Sequence, residues 1–271
     1  MRAFALHADV IVFISRVWQT TCTAVRADGE GFVIDSPVYP DELDALPGVL
    51  EQAGFPVSGL LTTHADWDHL LGRLAFPQAS LGCAESTAAR LRAEPGEAQR
   101  RLRQFDHEHY VERVRPLALA GTQALPVPGR VALGADRELE LHPAGGHTVD
   151  GMAVWIPWTR TLVCGDYLSP VEIPTISPGG SVADYRATLE RLRALVAGAE
   201  RVVPGHGGPI TGEEALAVLR EDEAYLAALL TEGADARLPE GRRNARQAQI
   251  HADNLERAGG LRERLTPPES G

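Results

Sequence analysis

The stretch Thr62-Thr63-His64-Ala65-Asp66-Trp67-Asp68-His69-Leu70-Leu71-Gly72 brings four metal-capable side chains together between positions 64 and 69. It continues the apolar run VSGLLTT (57–63), which reads as a short buried strand ending at His64. A loop at a strand's end can turn several side chains towards one point, whereas a strand or helix sends them off at a fixed period. Imidazole nitrogens and carboxylate oxygens are the donors that hold zinc, iron or manganese. The competing reading is a solvated polar loop, which predicts no matching partners downstream.

Partners do follow, each in a similar setting. Gly145-Gly146-His147-Thr148 comes after the strand-like run RELELH (137–142), Cys164-Gly165-Asp166 ends TLVCGD (161–166), and Pro204-Gly205-His206-Gly207 ends RVVPGH (201–206). Each places a His or Asp at a strand's C-terminal edge beside a glycine that lets the backbone turn tightly. One such signal would be weak; four in this order set the solvated-loop reading aside.

Elsewhere the pattern alternates strands and helices. VIVFIS (10–15), VWQTTCTAV (17–25) and GFVIDS (31–36) are β-branched and aromatic, and Asp28-Gly29-Glu30-Gly31 marks a turn, so an antiparallel meander is expected. Pro40 to Ala53 reads as a helix with Leu43, Leu46 and Leu50 on one face, interrupted by Pro47. Cys83 to Val114 is rich in helix formers with a break at Pro95-Gly96, and residues 115–135 read as a loop or weak strand region. MAVWIP (152–157) pairs with TLVCGD through a turn at Thr159-Arg160. Ala183–Ala197 carries Tyr185, Leu189, Leu192 and Val196 at helical spacing. Thr211 and Glu214 form a capping-box pattern opening a helix to Leu230. Arg242 to Arg257 reads as a last helix, and TPPESG as a fraying end. Together these predict an α/β layered fold that is not purely parallel.

Composition narrows the partners. The 271 residues carry 26 Lys+Arg against 37 Asp+Glu, a net charge of −11, which disfavours a binder of nucleic-acid backbones. Hydrophobic residues at 44% and charged residues at 23% exclude a disordered chain. No apolar run approaches the roughly 20 residues that span a bilayer, so no membrane partner is expected. The N-terminal MRAFALHADVIVFISR reads as a first strand, since Asp9 breaks its apolar run and no cleavage site follows. The isolated Cys22, Cys83 and Cys164 read as small buried apolar residues in a reducing cytoplasm.

The series resembles the metallo-β-lactamase-fold superfamily, whose hallmark is H-x-H-x-D-H, then Gly-His, a strand-terminal Asp and a second Gly-His. The resemblance spans about residues 10–210. It implies a four-layer αββα sandwich of two mixed β-sheets flanked by helices, occupying residues 1–212, with 213–271 as a helical extension packed on the same domain. It implies two divalent ions: a first held by His64, Asp66 and His147, and a second by Asp68, His69 and His206, with Asp166 bridging. Trp67 and Leu70 are then packing residues. Asp66 stands where the superfamily usually has His, adding a third carboxylate; zinc is the first expectation, and the harder oxygen donor admits manganese or iron or weakens the first site.

The activity implied is metal-dependent hydrolysis of a small ester, thioester, lactone or amide. Asp68 and Asp166 would orient a hydroxide nucleophile, and Asp68 could carry a proton to the leaving group. The B1 β-lactamases place a Cys where this chain has Asp166, which disfavours that class. Two alternatives stand: an oxygenase resembling persulfide dioxygenases, with one iron on His64, His147 and Asp166, and a non-catalytic relative of the fold. A nuclease is disfavoured by charge. Beyond the donors, Tyr167 is equally a candidate donor to a substrate oxyanion or a packing residue, and His109 and Tyr110, on an exposed or lid helix, are candidate substrate contacts. His142 reads as a strand-end structural residue, and His7 and His251 as surface residues. The basic face Arg242-Arg243-Asn244-Ala245-Arg246 is only loosely similar to the glutathione-thioester grip of glyoxalase II enzymes and reads instead as a solvated face or a homodimer contact.

Overall fold

The computed structural model describes residues 1–265, with side chains described to Ala258; the expected fraying of TPPESG lies outside the described residues. Alternation of apolar residues along the strands builds two sheets. The first runs β1 (Arg2–His7), β2 (Val10–Ile14), β3 (Thr21–Ala27), β4 (Glu30–Asp35), β5 (Gly59–Leu61), β6 (Leu81–Ala84) and β7 (Gln123–Leu125), in that spatial order. Its first four strands are the expected antiparallel meander; β4 to β7 are parallel. The second sheet has the order β13 (Ile210–Thr211), β12 (Arg201–Val203), β11 (Thr161–Val163), β10 (Met152–Ile156), β9 (Arg137–Pro143), β8 (Gly129–Leu133), with only the β11–β12 pair parallel.

Period-two alternation sorts each strand's side chains into layers. Val10, Val12, Val25, Ile34 and Leu61 meet Leu139, Leu141, Val154, Val163 and Val203 between the sheets. On the outer face of the first sheet, Phe13, Ala24, Val33 and Leu60 pack with α1 (Pro40–Gln52) and α4 (Glu97–Glu108), which supply Leu43, Leu46 and Leu50, and Leu102 and Phe105. On the outer face of the second, Ala153, Leu162 and Val202 pack against α5 (Val182–Gly198), α6 (Gly212–Thr231) and α7 (Ala245–Leu265). The result is a four-layer αββα sandwich of two mixed sheets. Short helices α2 (Gly72–Ala75) and α3 (Glu85–Ala93) complete the first outer layer.

Several elements follow from local signals. The α6 capping box forms as expected: Thr211 Oγ1 accepts from Glu214 N at 3.2 Å, and Thr211 N donates to Glu214 Oε2 at 2.8 Å. Pro47 does not break α1, because losing one amide is offset by burying three leucines on one face. Trp67, Leu70 and all three cysteines are buried as expected, and burial pushes the Cys83 thiol up to about 12.

Other expectations are corrected. The strand expected from Val17, β3, begins at Thr21, because Trp18 and Gln19 take left-handed backbone with φ of 48° and 55°. That turn reaches across to the second sheet: Thr21 N donates to Gly205 O at 2.8 Å, and Gly207 N to Gln19 O at 3.0 Å. Residues 115–135, expected as a loop or weak strand region, do contain two short edge strands, β7 and β8. His251 is half-buried against the Tyr225 hydroxyl, 3.0 Å from its Nδ1, and is not a free surface residue. Arg242 is 2% exposed, so the expected solvated basic face is partly interior: its Nη1 donates to Asp222 Oδ1 at 2.6 Å and to Glu172 O at 2.8 Å. Among the described residues no helix is long and apolar enough to cross a membrane.

Leu226, fully buried on α6 against the second sheet's outer cluster, tests how much this packing contributes. Leu226→Ala is expected to lower unfolding free energy by about 2–5 kcal/mol in urea melts.

Candidate metal centre

All seven donors converge where the two sheets' C-terminal loops meet. The chain leaves β5 into the 62–66 segment and a single 3-10 turn, Trp67–His69, that carries Asp68 and His69. Asp66, extended just before that turn, points elsewhere, so one loop serves two clusters. His147 follows β9, Asp166 follows β11 and His206 follows β12.

The donors form two triads. His64 Nε2 and His147 Nε2 lie 3.9 and 3.5 Å from Asp66 Oδ2. His69 Nε2 and His206 Nε2 lie 3.7 and 3.6 Å from Asp68 Oδ2. Asp166 stands between them: Oδ2 is 3.7, 3.2 and 3.4 Å from the Nε2 atoms of His64, His147 and His206, and Oδ1 is 3.2 Å from that of His69. Ligands about 2.1 Å from a tetrahedral ion stand roughly 3.4 Å apart, so these separations suit shared coordination. The Nε2 atoms of His64, His69 and His147, with Asp166 Oδ1, are buried and have no hydrogen-bond partner among the described residues. Stranding such groups costs free energy unless a ligand satisfies them, and bound cations would do so. Asp66 and Asp166 keep 14% side-chain exposure while His69 keeps none, so solvent reaches the centre beside these two carboxylates.

Each imidazole is oriented through its other nitrogen. His69 Nδ1 lies 3.0 Å from Asp35 Oδ2, His64 Nδ1 3.0 Å from Thr63 Oγ1, His147 Nδ1 2.7 Å from Thr175 O, and His206 Nδ1 3.3 Å from Trp18 O. Such contacts set the tautomer and aim Nε2 inward. Asp35 also accepts from Thr63 N and Thr63 Oγ1, both at 2.8 Å, and holds a left-handed φ of 58° that a non-glycine residue adopts only under local constraint.

Asp66, the departure from the common motif, is paired. Arg90 of α3 donates from Nη2 to Asp66 Oδ1 at 2.8 Å and from Nη1 to Asp150 Oδ1 at 2.9 Å, while Asp150 Oδ2 accepts from Ala65 N at 2.9 Å. One guanidinium thus ties the 64–69 loop to the 147–150 turn and leaves Oδ2 facing the imidazoles. It also sets a positive charge against Asp66, one that it shares with Asp150 and, through Nε at 3.3 Å, with Glu94. Burial works to raise the Asp66 and Asp166 carboxyls, but His147, His64 and Arg90 around the first, and all four imidazoles around the second, hold both well below the usual carboxylate range. Burial disfavours charge on His147 and His206, yet Asp166 and neighbouring acids raise both to about 9.

The glycines flanking the donors are required by close approach. A Cβ at Gly205 would stand 2.1 Å from Asp166 Oδ1, and one at Gly146, whose φ is 123°, 2.1 Å from Tyr185 N.

Three expected substrate contacts are placed otherwise or outside the seven. Tyr167 is buried, its hydroxyl donating to Gly145 O at 2.8 Å and accepting from His147 N at 3.0 Å; its proton is committed to the 144–147 turn, which fits the packing alternative and not that of a donor to substrate. His109 stacks on Phe105 with ring centroids 4.2 Å apart, and Phe105 meets Trp18 and Trp67, so His109 is the outer end of an aromatic chain leading to His206. Tyr110 is 95% exposed just past α4. Neither joins a donor triad. His142 sits on β9 opposite Ala153, a strand residue as expected.

The sequence matches the metallo-beta-lactamase superfamily over residues 15–206, and the chain belongs to that superfamily. Among solved structures the fold is similar to a metallo-beta-lactamase family protein from Thermus thermophilus, with a TM-score of 0.69 at 21% identity over 98% of this chain and 97% of that one. It is also similar to the DIM-1 metallo-beta-lactamase, at 0.59 and 20% over 84% and 97%. The metallo-beta-lactamase from Pontibacter korlensis gives 0.59 and 18% over 81% and 98%. Comparison with curated proteins found no match. The superfamily typically binds divalent metals, and the donor clusters here fit that chemistry.

Asp35→Asn keeps the shape of the carboxylate but weakens its hold on His69 and Thr63. It is expected to lower metal affinity about 10–100-fold, read by competition with a chromophoric chelator.

Proposed function

We propose that this protein is a metal-dependent hydrolase that cleaves a small ester, thioester, lactone or amide, with two divalent ions, zinc first, at the joined triads. The observation that carries this reading is Asp166 within 3.7 Å of four imidazoles whose inward nitrogens are mostly unpartnered. His64, Asp66 and His147 would hold one ion, Asp68, His69 and His206 the other, and Asp166 both. Bound there, the ions supply Lewis acidity, polarising a carbonyl oxygen and lowering the pKa of water from about 15.7 towards 7.

The chain's own groups do the rest. Asp68 and Asp166 accept hydrogen bonds from the attacking water and fix its direction, and Asp68 passes a proton to the leaving atom. Asp66, held by Arg90, cannot rotate both oxygens inward, so it offers one donor. No Ser or Cys nucleophile is needed; the Cys164 thiol is buried, with Sγ 3.1 Å from Tyr167 O. A mononuclear iron oxygenase on His64, His147 and Asp166 alone would leave His69 Nε2 buried and unsatisfied, which favours the dinuclear hydrolase. The substrate is a small molecule rather than a nucleic acid, in keeping with the net charge of −11.

A panel of lactone, thioester, ester and amide substrates tests this. Turnover is expected to fall about 1000-fold or more on chelation and to return with zinc, manganese or iron at two ions per chain. Turnover that survives chelation, or oxygen uptake with glutathione persulfide at one iron per chain, contradicts the reading.

A further inference from the structure

Residues 169–177 cross the face of the second sheet without joining a strand or helix, yet their carbonyl at Thr175 is what His147 Nδ1 meets at 2.7 Å. Backbone outside regular structure must find its hydrogen bonds elsewhere. Here they come from the C-terminal segment, beyond the residues matched to the superfamily. Arg242 Nη1 donates to Glu172 O at 2.8 Å, and Ile173 N donates to Gln247 Oε1 at 2.7 Å. Asn254 of α7 is fully buried and grips the chain on both sides of Thr175: its Oδ1 accepts from Ile176 N at 2.8 Å, and its Nδ2 donates to Pro174 O at 2.7 Å. The second Nδ2 proton goes to the Tyr225 hydroxyl of α6, 3.1 Å away, which anchors the amide to the helical layer.

From this geometry we infer that Asn254 is a positioning residue for His147, acting through the Pro174–Ile176 backbone to fix where the Thr175 carbonyl stands. The inference rests on His147 being a metal ligand, as proposed above. A side-chain amide carries its acceptor and its donors on separate atoms, so it accepts from residue 176 and donates to residue 174 at once and locks the intervening peptide in two directions. His147 then keeps its Nδ1 proton on Thr175 O and presents Nε2 to the ion; a displaced carbonyl would free the ring to turn or change tautomer. If Asn254 only satisfied a buried loop, its loss would lower stability and leave the metal alone.

The test uses the full chain stripped of metal and titrated with cobalt(II). Binding steps are followed by visible absorption, and imidazole N–H protons by their hyperfine-shifted NMR signals, with the His147 signal identified by its loss in His147→Gln. Asn254→Ala is expected to weaken the step belonging to His64, Asp66 and His147 by about 10–100-fold. It is also expected to move the His147 N–H signal or speed its exchange, with the His69 signal unchanged. Leu255→Ala, on the same helix but packed against the apolar cluster, should lower thermal stability without altering either step. Should Asn254→Ala fail to fold, Asn254→Asp, which keeps the acceptor and loses both donors, and Tyr225→Phe, which removes only the anchor, should show the same shift in smaller degree. Cobalt affinities and N–H signals equal to those of the unaltered protein in whichever of these variants folds overturn the inference. Failure of the unaltered protein to take up cobalt overturns the metal-centre reading on which it stands.

Discussion

One carboxylate, that of Asp166, organises the chemistry of this chain. It lies within 3.7 Å of four histidine nitrogens drawn from three separate loops, and each of those loops leaves a strand of one sheet or the other. Bringing them together requires the two sheets to pack face to face, so that the ends of β5, β9, β11 and β12 open on one side. It also requires glycine at position 205, where any Cβ would collide with the carboxylate itself. Layer packing, tight turns and ligand convergence are therefore aspects of one constraint. The interior apolar layer from Val10 to Val203 sets the distance between sheets, and that distance sets the size of the centre.

Around this carboxylate the protein places fixed dipoles and charges in a second ring. Asp35 holds His69 and the Thr63 peptide, Tyr167 holds the turn that carries His147, and Arg90 joins Asp66 to Asp150. The Arg90 pair matters most for the departure from the superfamily's motif. An aspartate in place of histidine would by itself leave a surplus negative charge in a buried site, where burial penalises charge strongly. The guanidinium, shared with Asp150, offsets part of that charge and leaves Oδ2 of Asp66 facing the imidazoles. Substitution at one position thus carries a second requirement on a helix 24 residues further along the chain.

Much of this was legible in the amino-acid order. The donors are short-range in sequence or sit beside glycine at strand ends, so their chemistry and spacing speak directly. The meander, the capping box at Thr211 and the helix through Leu189 and Leu192 are local too, set by alternation and period. What escaped was long-range. Nothing near Asp35 or Asn254 announces that their partners lie 28 to 34 and 78 to 80 positions away. Arg242 reads as solvated because arginine seldom loses water, and its contacts with Asp222, Glu221 and two carbonyls explain its burial. The late start of β3 depends on left-handed backbone at Trp18 and Gln19, residues with no propensity for it, held there by bonds across to residues 205 and 207.

The proposed chemistry turns on Asp166 bridging two ions and on Asp66, gripped by Arg90, being a ligand. A crystal structure of the protein purified without added metal, with anomalous data collected across the zinc, iron and manganese edges, addresses both at once. Two anomalous peaks are expected, both within bonding distance of Asp166, one of them also bonded to a single oxygen of Asp66. A lone peak on His64, His147 and Asp166, or an Asp66 turned wholly towards Arg90 with no ion beside it, would contradict that assignment.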